Sequence, residues 1–109
     1  MNKVHFDAFF DHILEDIKDT RDNGQKEYAK TETNIFANFD RVASCLQISR
    51  EKALMVYLLK HIDGIGAHIN GHTSQREHVS GRIKDAIVYL MLLWAMIDGY
   101  SQFDKLKEK

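Results

Sequence analysis

At 109 residues and a formal net charge of −1, the chain has the length for one domain and one core but no clustered basic footprint of the kind that DNA or RNA binding requires. Its one cysteine, Cys45, excludes an internal disulfide and reads as a small core residue in a reducing, cytoplasmic setting. No apolar leader of the signal-peptide type opens the sequence, proline is absent, and no repeat or shift in composition divides it, so a single all-α domain over residues 1–109 is expected.

Phe6, Phe9, Phe10, Ile13, Leu14 and Ile17 recur at helical spacing and predict an amphipathic helix over residues 3 to 19, with Asp7, Asp11, Glu15, Lys18 and Asp19 on its far side. Asp11 and Glu15 have the i,i+4 spacing of a carboxylate pair, but a solvated acidic face explains them more simply. The turn residues Asp22-Asn23-Gly24 are expected to end this helix. After a polar stretch containing Glu27, a second helix is predicted from about Asn34 to Leu46, capped by Thr31 or Thr33. Ile35, Phe36, Phe39, Val42, Ala43 and Leu46 form its apolar stripe, with Asn38 and Arg41 on another line.

Ser49 caps a third helix running to about Ile69, whose core stripe reads Leu54, Leu58, Ile62, Ile65 and Ile69. Lys60 and Asp63 share one edge of it; Tyr57, His61 and His68 line another. His61 and His68 lack the cysteines of a closed zinc site. A polar turn from Asn70 to Ser80 carries Arg76, Glu77 and His78, with Ser74 or Ser80 to cap the next helix. From Ala86 to Ile97 every residue is apolar or aromatic. A helix apolar all round is expected to be buried on every side, and twelve residues rise only about 18 Å, short of a bilayer core. This central helix, near residues 81–98, defines a four- to five-helix bundle with more apolar surface than one small subunit covers. Phe103 and Leu106 are expected to dock a short tail.

Asp85 stands where the apolar run begins, and a carboxylate entering a core needs a cation or a hydrogen-bonding shell. Glu27, Asn38, Lys60, His61, Asp63, Glu77, Arg82 and Asp85 all lie near the edges of apolar stripes. One arrangement satisfies them together: carboxylates hold Mg²⁺ while Lys60 and Arg82 hold phosphate oxygens. Ordinary interhelical ion pairing explains the same residues without a ligand. Lys52, Arg76, Arg82 and Lys84 are the cations available for nucleic acid, too few at this net charge.

The order Glu27-Tyr28, Asn38-Phe39-Asp40-Arg41-Val42-Ala43, Leu58-Leu59-Lys60-His61 and Gly81-Arg82-Ile83-Lys84-Asp85-Ala86-Ile87-Val88-Tyr89 resembles the small phage-type branch of the MazG-like superfamily. The resemblance spans roughly residues 24 to 97. It implies an all-α bundle pairing as homodimers or homotetramers, free of membranes. It also implies Mg²⁺, with Mn²⁺ as an alternative, and hydrolysis of a (deoxy)nucleoside triphosphate to the monophosphate and pyrophosphate. Glu27 and Asp85 become the catalytic acids, with Asp85, Asp63, Glu77 and Glu27 as metal ligands. Lys60 and Arg82 become the phosphate-holding residues, and Asn38, His61 and Tyr89 become substrate contacts. The chain departs from the family's usual Glu-x-x-Glu and Glu-x-x-Asp pairs: the first is absent, and Arg82 stands three residues before Asp85. Either Asp63, Glu77 and His61 substitute, or the protein is a non-catalytic helical module that dimerises and binds a nucleotide or a protein.

Overall fold

Four helices follow one another in the computed structural model, which describes residues 1–28, 34–73 and 76–99, residues 25–28 by their backbone only. They are α1 Lys3–Tyr28, α2 Ala37–Leu46, α3 Arg50–Ile69 and α4 Val79–Trp94, the last running into a π-helical turn over Ala95–Gly99. No strand occurs among the described residues, so the architecture is all-α. Thr31, Thr33, Ser74, Tyr100, Phe103 and Leu106 lie outside the described residues.

The α3 start is built as its sequence predicts: Ser49 Oγ accepts from the Lys52 N–H at 3.2 Å. At α4 the cap is His78, whose Nδ1 accepts from the Ser80 N–H at 3.1 Å, in place of the serines expected there. The first helix does not stop at Asp22-Asn23-Gly24 but continues to Tyr28. One glycine costs a helix only about 1 kcal/mol, so local turn chemistry loses to continued backbone hydrogen bonding.

Ile17, Phe39, Leu54, Leu58, Ala86, Val88 and Leu92 form the core, to which all four helices contribute. α3 and α4 run antiparallel: Tyr57 stacks on Tyr89 with centroids 6.2 Å apart, His61 lies beside Asp85, and Gly64 beside Arg82. Phe39 of α2 meets both tyrosines edge-on, at 5.7 and 6.0 Å, and so sits astride the α3–α4 seam. α1 joins α4 through Ile17 in the core and through Lys84 Nζ to Asp16 Oδ2 at 3.4 Å.

Three burial expectations are corrected. Among the described residues α4 and the turn that follows it are not enclosed: Ile83, Leu90, Met91 and Trp94 of α4 and Ile97 of the π-helical turn are exposed, because α1 and α3 flank only part of the α4 circumference. Cys45 is exposed rather than in the core, and Leu46 and Ile62 and Ile69 of the predicted stripes are exposed as well. On α1, Ile17 is buried and Ile13 partly so, whereas Phe6, Phe9, Phe10 and Leu14 face solvent. At about 1.5 Å per residue, α1 outreaches its partner α4 and leaves its first turns unpacked.

A polar clamp fixes the α2–α3 corner. Asp40 accepts from Arg50 Nε and Nη2, both at 2.7 Å, and from Asn34 Nδ2 at 3.0 Å, while the guanidinium lies over the Phe36 ring at 4.9 Å. Burial by itself raises the Asp40 carboxyl; the Arg50 and Asn34 hydrogen bonds outweigh it and hold the group below its ordinary 3.8. A carboxyl lowered in the folded state stabilises the fold above its unfolded value, and the contribution disappears as pH falls through the folded one. Because both groups are about a third exposed, its size is expected to be below about 1 kcal/mol. Arg50→Gln is therefore expected to lower the urea midpoint at pH 7, with the gap to wild type closing below about pH 4. A gap independent of pH would show that Arg50 acts only through its packing on Phe36.

Candidate functional site

The antiparallel α3–α4 pair brings together residues some 15 to 25 positions apart in sequence. His61 is 7 % exposed, packed on Tyr89 with centroids 5.5 Å apart. Its Nε2 stands 3.7 Å from Asp85 Oδ2, beyond hydrogen-bond reach, and its Nδ1 is buried without a partner. Glu77, in the loop just before the α4 cap, completes a cluster. One ligand-type atom from each of His61, Glu77 and Asp85 lies within 4.8 Å of the other two.

Arg82 sits at the edge of this cluster. Its side chain is 14 % exposed, its Nη1 lies 3.6 Å from Glu77 Oε2, and its Nε is buried without a hydrogen-bond partner. Gly64 of α3 makes room for it: a Cβ there would fall 2.5 Å from Arg82 Cδ and Nε and 2.6 Å from Cζ. The guanidinium thus lies against the α3 backbone where any side chain would displace it. Lys60, Arg76, Glu77 and Arg82 line a groove of about 380 Å³. A second, of about 360 Å³, is lined by His68, Thr73, Glu77, His78 and Val79, so Glu77 borders both. In the first groove three cations face one carboxylate, a charge balance suited to an anion with several oxygens.

Of the residues singled out from sequence, Lys60, His61, Glu77, Arg82 and Asp85 come together here. Asp63 does not. Two residues beyond His61 it is turned about 200° around the helix, and it is exposed and outside the cluster. Asn38 lies on α2 and accepts from exposed Arg41 Nη2 at 3.1 Å, lining neither groove. Tyr89 is held in the aromatic stack behind His61. The Glu27 side chain lies outside the described residues. Arg76 and Gly64 enter the site unannounced. In the sequence Arg76 reads only as a nucleic-acid contact, and Gly64 carries no signal until the residue opposite it is known.

No family model, curated protein or solved structure matches the chain. Among the described residues no helix is long and apolar enough to cross a membrane. What the fold and site define is therefore a class: an all-α protein with a His–Glu–Asp cluster beside a cationic groove on one antiparallel helix pair.

Proposed function

We propose that this chain is a metal-dependent (deoxy)nucleoside triphosphate pyrophosphohydrolase that releases the monophosphate and pyrophosphate. The observation that carries the reading is the placement of His61, Glu77 and Asp85 next to Lys60, Arg76 and Arg82. Two carboxylates and an imidazole whose Nδ1 has no hydrogen bond are a donor set for a divalent cation. Oxygen ligands suit the Mg²⁺ that the MazG-like resemblance implies, and the nitrogen of His61 shifts the preference toward Mn²⁺. Such an ion, when bound, neutralises phosphate charge and acidifies a water. The chain's own part is to hold the polyphosphate. Lys60 and Arg76 reach it from exposed positions, and Arg82, braced on Gly64, offers a planar fork to phosphate oxygens. Asp85 and Glu77 keep the site from becoming a general anion trap. The reading places the protein in the cytoplasm, where its substrates are.

A panel of common ribo- and deoxynucleoside triphosphates with Mg²⁺ or Mn²⁺ tests this. Monophosphate and pyrophosphate are expected in equal amounts. Orthophosphate with a diphosphate product would place the cut at the wrong bond. Silence across the panel, with a nucleotide still raising Tm, would replace the enzyme by a binding module. The missing Glu-x-x-Glu pair, and Arg82 standing three residues before Asp85 where the family has glutamate, favour that second reading.

A further inference from the structure

The groove between the end of α3 and the cap of α4 follows from the register of the two helices. Tyr57 meets Tyr89, His61 meets Asp85 and Gly64 meets Arg82, so each step along α3 is matched by an equal step back along α4. One more turn sets His68 opposite His78, and both line this groove with Thr73, Glu77 and Val79. At about 1.5 Å per residue, His68 stands about 10 Å along α3 from His61 and its cluster. Both rims are pinned. α3 closes in a Schellman turn: Gly71 takes a φ of +97°, its N–H donates to the His68 carbonyl at 3.0 Å, and the His72 N–H donates to the Ala67 carbonyl at 2.9 Å. That turn fixes where Thr73 emerges. His78 is held by the bond from the Ser80 N–H that caps α4.

The two grooves that meet at Glu77 differ in chemistry. Lys60, Arg76 and Arg82 line the first. Among the described residues the lining of the second holds no lysine or arginine, and its Glu77 carboxylate repels phosphate. What it offers suits a flat, polar, uncharged group: the half-buried side chains of His68 and Val79 as walls, and hydrogen-bonding groups at the rim. Because His78 Nδ1 accepts a backbone N–H, the ring proton sits on Nε2, which is therefore a donor. The Thr73 hydroxyl donates or accepts. About 360 Å³ falls within the range of small-molecule sites.

We infer, given the polyphosphate reading of the first groove, that the second is the nucleoside subsite, with His78 Nε2–H donating to an oxygen of the base or the sugar. Glu77 borders both grooves and belongs to the cluster with His61 and Asp85. A nucleoside triphosphate stretched across the two therefore lays its α–β bridge at that cluster. The outer two phosphates lie among Lys60, Arg76 and Arg82, where pyrophosphate is left when this bridge is cut. The reverse orientation puts the polyphosphate beside Glu77 in a groove lined by no lysine or arginine, and Coulomb repulsion opposes it.

Amide NMR shifts of the isotope-labelled chain with Mg²⁺ separate the two halves. An α,β-methylene nucleoside triphosphate is expected to move the signals of Thr73, His78 and Val79 together with those of Lys60 and Arg82. Inorganic tripolyphosphate is expected to move only the latter pair. His78→Asn keeps a cap acceptor for the Ser80 N–H and removes the Nε2 donor. It and Thr73→Val are each expected to weaken nucleotide binding about 10-fold, the loss of one hydrogen bond, with tripolyphosphate binding unchanged. A His78 bond to a base carbonyl favours uridine over cytidine triphosphate in wild type; a bond to the sugar 2′-hydroxyl favours ribo- over deoxynucleotide. Either preference is expected to vanish in His78→Asn. Should the variants fail to fold, the wild-type shifts decide. Nucleotide that leaves Thr73, His78 and Val79 unmoved would overturn the inference, as would variants that bind nucleotide like wild type or lose nucleotide and tripolyphosphate alike. In those cases shifts at Lys60 and Arg82 with pyrophosphate release would leave the polyphosphate reading standing. Nucleotide shifts at Thr73, His78 and Val79 with none from tripolyphosphate would overturn that reading and keep the nucleoside subsite.

Discussion

Asp85→Asn is expected to lower pyrophosphate release by about 10³-fold or more while the protein remains folded. Residues that merely orient a metal's ligands cost 10–100-fold when removed, and a direct ligand carries more than they do. The substitution keeps the side chain's size and removes only its charge. The Asp85 side chain is 38 % exposed, so the amide has water to bond and the fold loses little. The check is steady-state turnover of the best substrate from the nucleotide panel, beside a thermal melt of each protein. Full activity in the variant would reduce Asp85 to an interhelical partner of His61 and remove the basis for a hydrolytic site. Loss of activity together with loss of the metal-induced rise in Tm would tie the residue to the ion.

Gly64→Ala is expected to weaken nucleotide binding by about 10- to 100-fold without destabilising the chain. An alanine Cβ at this position meets the Arg82 side chain, not backbone, so the arginine swings away and α3 stays intact. A charged hydrogen bond is worth about 1.5–3 kcal/mol, which sets the loss of affinity. In the opposite direction, glycine to alanine within a helix contributes up to about 1 kcal/mol of stability. The result is a variant that melts no lower than wild type and binds worse. Gly81→Ala is the matched control, since a Cβ there has open space around it; the same helical gain is expected with affinity unchanged. Equal affinities for both variants would mean that Arg82 takes no part in holding phosphate.

How much of this is legible in the residues depends on whether local or distant partners decide it. Helix identity is local. The Ser49 cap, the 3.6-residue pattern of α3 and the apolar run of α4 all read correctly from neighbours a few positions away. Helix length is less legible, because the turn propensity of Asp22-Asn23-Gly24 is a small term that the continuing backbone ladder of α1 overrides. Which apolar residue is inside is not local at all. Ile62 and Ile69 read like Leu54 and Leu58 in the sequence, yet only the latter two are buried, because the neighbours α3 meets lie along one side of it.

The site divides along the same line. Asp85 can be singled out from sequence alone, since a carboxylate at the edge of twelve apolar residues demands a partner. Lys60, His61, Glu77 and Arg82 can be nominated as chemistry-bearing groups near helix edges. Asp63 can be nominated on the same grounds, and only its rotation on α3 removes it from the cluster. Composition and periodicity by themselves determined that the chain is all-α. The antiparallel register of α3 and α4 decided the rest. It sets His61 against Asp85 and Gly64 against Arg82, because an interhelical distance belongs to two segments at once and neither encodes it alone.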